Sequence, residues 1–288
     1  MKKFCLALLI FSMAVFTTGC FKRDKMEDIN IITTVYPIEY VVNYLYGNSS
    51  NITSIYPKSA NVSEYEITNK QIKDFSDNDL FVYNGDSNER EYATAMLNKN
   101  RNLKIIDASY GVDAVYSKYD LWLNPSNILM IGQNVRNELE EYISNPYIIE
   151  EINDQYQLLK VNISELETEF KRASDNSHDA RIITSDETLK FLEKYGFTVI
   201  NLTEKGERKE NNISLAESLL SSKKLSYIFI HENDSNLELV DSITNKYNAE
   251  KMTFRVLETI TEDDVNNGDD YLSLMHANIE NLKQETYK

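Results

Sequence analysis

The apolar residues of the chain gather into eight short clusters, at 30–36, 52–56, 80–83 and 103–106, then at 181–184, 198–202, 227–231 and 253–257. Each cluster is rich in Ile, Val, Phe or Tyr and bounded by polar residues, which predicts eight strands in two sets of four. Helical periodicity fills most of the intervals. Ile128, Ile131, Val135, Leu139 and Tyr142 recur on one face of one segment, and Leu237, Val240, Ile243 and Tyr247 on a face of another. Strands alternating with helices predict mostly parallel, doubly wound sheets.

The middle of the chain departs from this rhythm. Ile149, Ile152, Tyr156, Leu159, Ile163, Leu166 and Phe170 step by three and four without interruption, behind an Asn145-Pro146 start signal. The spacing predicts one helix over 146–173, about 42 Å long at 1.5 Å per residue. Three heptads make a marginal coiled coil, so a rigid connector packed along both halves is the more economical reading. The expected fold class is therefore α/β with two lobes, 29–145 and 174–288. Each lobe is a mostly parallel four-stranded sheet with flanking helices, and one long rigid helix joins them.

In open α/β sheets ligands sit beyond the carboxyl ends of the strands. There the sequence offers the loop 57–66, the stretch 119–125, Ser185-Asp186-Glu187, His231-Glu232 and Glu258. Carboxylates gather at these ends, although a chain with 46 Asp+Glu has acidic loops in any case.

At the N-terminus, Lys2 and Lys3 precede an apolar run too short to span a bilayer, as in a signal peptide over 1–19. Thr17-Thr18-Gly19-Cys20 is similar to a bacterial lipobox, with Thr17 where an aliphatic residue is usual. Cleavage there would leave Cys20 lipidated, followed by a charged tether over 20–28. The expected product is a monomer held by its lipid on the extracytoplasmic face of a bacterial cell membrane. The net charge of −16 argues against a nucleic-acid partner. No G-x-G-x-x-G, P-loop, G-x-S-x-G or H-E-x-x-H pattern is present. Glu64 and Glu66 have nothing to set them apart from surface acids, so the chain is read as no enzyme.

Several segments, in order, resemble the solute-binding proteins of bacterial ABC importers for zinc and manganese. They are Ile31-Ile32-Thr33-Thr34-Val35-Tyr36-Pro37, Asp79-Leu80-Phe81-Val82-Tyr83-Asn84-Gly85, Trp122-Leu123-Asn124-Pro125, Ile182-Ile183-Thr184-Ser185, and Gly268 to Met275 with Asn278 and Leu282. The resemblance covers about residues 30–285. It implies a helical-backbone, periplasmic-binding-protein-like fold that holds one divalent metal ion between lobes, and an importer permease and ATPase as partners.

Family members typically use His after the second strand, His before the Trp-Leu box, His or Glu opening the second half, and a carboxylate after the last strand. The matching positions here are Ser63, Asp120, Asp186 and Glu258, so both characteristic histidines are absent. His231 falls where many members have Glu and is a candidate replacement ligand, with a strand-end loop cap as the plainer alternative. His178 and His276 match no ligand position. An oxygen set suits manganese or another hard cation better than zinc. Two functions therefore stand side by side. One is metal capture and delivery to an ABC permease; the other is a scaffold that has lost metal binding and serves as an accessory, adhesin-like or other-ligand protein.

Overall fold

The computed structural model describes residues 24–234 and 237–288. The expected signal segment, the lipobox and Cys20 lie outside the described residues.

Two four-stranded, all-parallel sheets carry the fold. The first contains β1 (Ile29–Thr33), β2 (Ser50–Ser54), β3 (Leu80–Tyr83) and β4 (Lys104–Asp107), in the order β2-β1-β3-β4. The second repeats that order as β6-β5-β7-β8, from β5 (Arg181–Thr184), β6 (Thr198–Asn201), β7 (Tyr227–His231) and β8 (Glu250–Phe254). Ile31 pairs with Ile52 on one side and Leu80 on the other; Ile183 pairs likewise with Ile200 and Ile228. Strands covered on both faces carry near-continuous apolar runs, and Leu80, Phe81 and Val82 are all fully buried. In each sheet the chain winds outward in both directions from the central pair, β1 and β3 or β5 and β7. The crevice that binds ligands in doubly wound folds opens at such a reversal.

Eight strands stand where the apolar clusters predict them, with two instructive differences in extent. The first strand stops at Thr33 because Val35 caps the following helix, α1 (Tyr36–Tyr46), with Pro37 in its first turn. The last strand runs over Glu250–Phe254, ahead of the expected 253–257. Val256 and Leu257 are apolar because they are buried, yet Leu257 has φ +57° and both their amides donate to the Glu232 carboxylate. A side chain in the left-handed region costs about 1–2 kcal/mol, so the surroundings hold that turn in place.

The remaining helices are α2 (Asn69–Ser76), α3 (Glu89–Lys99), α4 (Asp120–Leu123), α5 (Pro125–Tyr142), α6 (Pro146–Asp175), α7 (Glu207–Ser221), α8 (Glu238–Tyr247), α9 (Glu262–Asn267) and α10 (Tyr271–Thr286). A 3₁₀ segment spans Glu187–Tyr195. The long helix α6 starts where Asn145 accepts the Tyr147 amide and Pro146 supplies the first position. Ile152, Tyr156, Leu159, Ile163, Leu166 and Phe170 form its buried stripe. That stripe packs on α1 and α5 from the first half and on α10 and the 3₁₀ segment from the second. At Gly132 of α5, a Cβ would meet Leu159 at 3.0 Å and Tyr156 at 3.3 Å, so glycine permits this close helix approach.

One hydrophobic core runs through both halves, and a smaller one lies beneath α7 and α8. Trp122 joins the halves directly. Its indole N–H donates to the Val256 carbonyl at 2.6 Å, and the Tyr271 hydroxyl donates to the Trp122 carbonyl at 2.6 Å. Part of the expected tether is also folded. Met26 is fully buried, and Asp24 accepts from the Ser144 and Asn145 amides at 2.7 Å, clamping the turn into α6.

Candidate metal centre

The central reversal of the second sheet brings three ligand-bearing side chains together. Asp186 follows β5, His231 ends β7, and Asp234 lies three residues further on. Their ligating atoms all stand within 4.8 Å of one another, the one such group among the described residues. His231 Nε2 is 3.2 Å from Asp186 Oδ2 and 3.5 Å from Asp234 Oδ1. A tetrahedral ion bonded at about 2.0–2.1 Å keeps its ligands about 3.3–3.4 Å apart, so these two separations are compatible with a shared metal.

Local folding aims each group. Asp186 Oδ1 accepts the Thr188 amide, capping the 3₁₀ segment, and leaves Oδ2 toward the imidazole. Asp234 Oδ2 accepts from Ser185 Oγ at 2.5 Å and from the His231 amide at 3.2 Å, which leaves Oδ1 toward the same nitrogen. Capping alone would not demand a second oxygen aimed at His231 from both carboxylates. On the other side of the ring, the Asn233 amide lies 3.2 Å from Nδ1, and the Tyr119 ring packs edge-on at 5.3 Å. In the neutral ring Nδ1 therefore accepts, and Nε2 carries the proton between the carboxylates.

Burial alone would lower the His231 pKa, but Asp186 and Asp234 outweigh it and raise the value above that of ordinary imidazole. Burial would likewise raise Asp186; the His231 ring and the Thr188 amide reverse this and hold it below the usual carboxylate range.

The other candidate ligands are not part of that close group. Asp120 is buried at the start of α4, where it accepts the Tyr116 amide at 2.7 Å and stabilises its own turn. Burial raises its pKa in spite of these bonds. Ser63 and Glu258 are brought together, but by a lysine. Lys118 Nζ donates to Glu258 Oε1 at 2.6 Å and to Ser63 Oγ at 2.9 Å. The second Glu258 oxygen accepts the Asn233 side-chain amide at 3.0 Å. Of the two remaining histidines, His276 on α10 pairs with Glu169 on α6, and the His178 amide donates to the Thr286 carbonyl.

Asp234, Asn233 and Lys118 are the participants that sequence reasoning misses. Asp234 sits in a polar run, Glu232-Asn233-Asp234-Ser235-Asn236, that reads as solvated loop. Its three-residue distance from His231, at the end of an apolar strand, is the one local signal.

Comparison with known proteins places this geometry in a family setting. The family model described as zinc-uptake complex component A, periplasmic, matches residues 31–285. The zinc-binding lipoprotein AdcA of Streptococcus pneumoniae is 22% identical over 99% of this chain and 61% of its own length. The chain thus spans about three fifths of that relative. A metal ABC transporter substrate-binding lipoprotein of Lactococcus lactis is 22% identical over 98% of this chain and 96% of its own. The metal-dependent lipoprotein YcdH from Bacillus subtilis superposes with a TM-score of 0.73 at 18% identity, covering 91% of this chain and 100% of that one. At that identity the structural likeness establishes the fold alone.

Proposed function

We propose, from the premise that this chain belongs to the periplasmic zinc-uptake component A family, that it captures a divalent metal ion between its lobes and delivers it to an ABC permease. The observation that carries this reading is the convergence of Asp186 and Asp234 on His231 Nε2. Two carboxylates and one imidazole give three ligands, with a fourth position left for water or a group from the first half. That set accepts zinc, and its oxygen majority also admits manganese. The metal is cargo, so the site must release it as well as hold it.

Loading has a cost visible in the geometry. Metal at Nε2 requires the ring proton to move to Nδ1, where the Asn233 amide now donates, so the turn over 232–234 must give way. The carboxylates that bind the ion also favour the competing proton. Both effects support affinity below that of an all-imidazole site.

In this reading the mature protein is lipid-anchored through Cys20 outside the cytoplasm. No helix among the described residues is long and apolar enough to cross a membrane. The chain's own residues bind and orient the ion, and α6 holds the lobes at a fixed separation, so closure is small.

One observation favours the second reading, a scaffold serving as an accessory, adhesin-like or other-ligand protein. Lys118 takes up Ser63 and Glu258, two positions that the resemblance assigns to metal. Elemental analysis of protein purified without chelator separates the two. Near-stoichiometric zinc or manganese, lost in Asp186→Ala and in His231→Ala, supports capture. Metal-free protein that takes up neither ion on titration supports the bare scaffold.

A further inference from the structure

We infer that Lys118 is a resident cation of the cleft, which occupies Glu258 and Ser63 and so restricts metal ligation to Asp186, His231 and Asp234. The inference rests on the proposed function for its consequence, but its observations stand apart from that trio. The Lys118 ammonium has two oxygen partners, Glu258 Oε1 at 2.6 Å and Ser63 Oγ at 2.9 Å, and lies 4.8 Å from the centroid of the Tyr119 ring. A carboxylate, a hydroxyl and an aromatic face are partners a small cation would take. Glu258 is buried while Lys118 is half-exposed, so the lysine reaches in from the rim.

Both Glu258 oxygens are committed, one to Lys118 and one to Asn233. The same Asn233 donates its backbone amide to His231. Lys118, Glu258, Asn233 and His231 thus form one continuous chain of polar contacts from the first half to the candidate centre. Tyr119 bridges the same gap, with one ring contact to Lys118 and another to His231. A divalent ion at the trio meets a fixed positive charge where it would otherwise find a third carboxylate as its fourth ligand. Charge count among ligands tunes divalent affinity over orders of magnitude. Lys118 is therefore an affinity- and specificity-determining residue that contacts no metal itself.

The chemistry gives a gain-of-binding test. Lys118→Met keeps an unbranched side chain, one atom shorter, but removes the charge; Lys118→Arg keeps the charge. Manganese and zinc titrations by calorimetry on the mature protein should show Lys118→Met binding at least about tenfold tighter than wild type, through a freed carboxylate and one fewer repelling charge. Lys118→Arg should stay close to wild type. Adding Glu258→Gln to Lys118→Met should abolish most of the gain. Wild-type protein that binds while Lys118→Met binds no tighter overturns the inference and leaves the proposed function standing. If neither protein takes up either ion, the proposed function falls, and a metal-free readout decides on Lys118. Thermal unfolding of wild type, Lys118→Met, Glu258→Gln and the double variant should show the double losing less than the sum of the singles; strict additivity overturns the resident-cation assignment.

Discussion

His231 Nε2 and Asp186 Oδ2 face each other at 3.2 Å across the reversal of the second sheet. The two residues are 45 apart in sequence and meet because β5 and β7 are adjacent parallel strands whose carboxyl ends open on the same side. The topology, more than any local motif, brings this candidate ligand pair together.

If the proposed centre holds the ion, that pair sets the pH dependence of metal binding. The carboxylates raise the His231 pKa above 6.5 against the opposing effect of burial, so the imidazolium persists to higher pH than in a free ring. Protonated imidazole cannot ligate. Affinity should hold above the raised value and fall as pH drops through it, by about tenfold per unit for one competing proton. Zinc titrations between pH 5.5 and 8.5 check this. His231→Gln should bind more weakly and lose this pH dependence between 6 and 8.

Asp186 and Asp120 should separate cleanly. Asp186→Ala removes a proposed ligand and is expected to weaken zinc binding by at least about tenfold, with little loss of stability beyond one helix cap, roughly 1 kcal/mol. Asp120→Ala should leave affinity nearly unchanged, because its carboxylate serves the Tyr116 amide. Its cost should appear as a lowered unfolding midpoint. Parallel calorimetry and thermal unfolding of both variants test the distinction.

Glu89 supplies a test away from the metal centre. It is buried at the start of α3, accepts the Asn84 amide at 2.8 Å and the Tyr56 hydroxyl at 3.2 Å, and burial pushes its pKa up to about 7. A folded-state value above the unfolded one stabilises at low pH, and that stability is lost as pH rises from about 4.5 through about 7. Glu89→Gln keeps the size and an accepting oxygen without the charge. It should be nearly neutral at pH 5 and more stable than wild type at pH 8, by roughly 1–3 kcal/mol. Urea unfolding at both values gives the comparison.

Asp264 behaves in the opposite sense. Burial alone would raise its pKa, but the two-pronged Arg255 pair, at 2.7 and 3.0 Å, and the Thr261 contacts lower it to about 2. The stability it contributes is present above about 3.8 and is lost as pH falls toward about 2. Asp264→Asn should lower stability at pH 7 by roughly 1–3 kcal/mol, and the difference from wild type should shrink in acid.

Eight strands and the long helix were legible because burial imposes period and composition. Leu80, Phe81 and Val82 could hardly be anything but an interior strand. The 3-and-4 stepping from Ile152 to Phe170 fixed one uninterrupted helix. Where burial and backbone geometry part, the pattern misleads. Val256 and Leu257 look like strand but form a strained turn held by Glu232. Met26 looks like tether but fills the core. The candidate site was less legible. Asp186 and His231 stand at strand ends, where topology alone draws attention. Asp234 lies in a polar loop and is recruited only by Ser185 and by the His231 amide. Lys118 is one of 30 basic residues in an acidic chain, and nothing in its neighbours announces that it crosses to Glu258.

The most direct measurement is an anomalous-difference map from crystals of the mature protein loaded with zinc and, separately, with manganese. One peak is expected, about 2.0–2.2 Å from Asp186, His231 Nε2 and Asp234 for zinc, with Lys118 still on Glu258. A peak held by Ser63, Asp120 and Glu258, or no peak in protein shown to be saturated, would contradict the assignment of the metal centre.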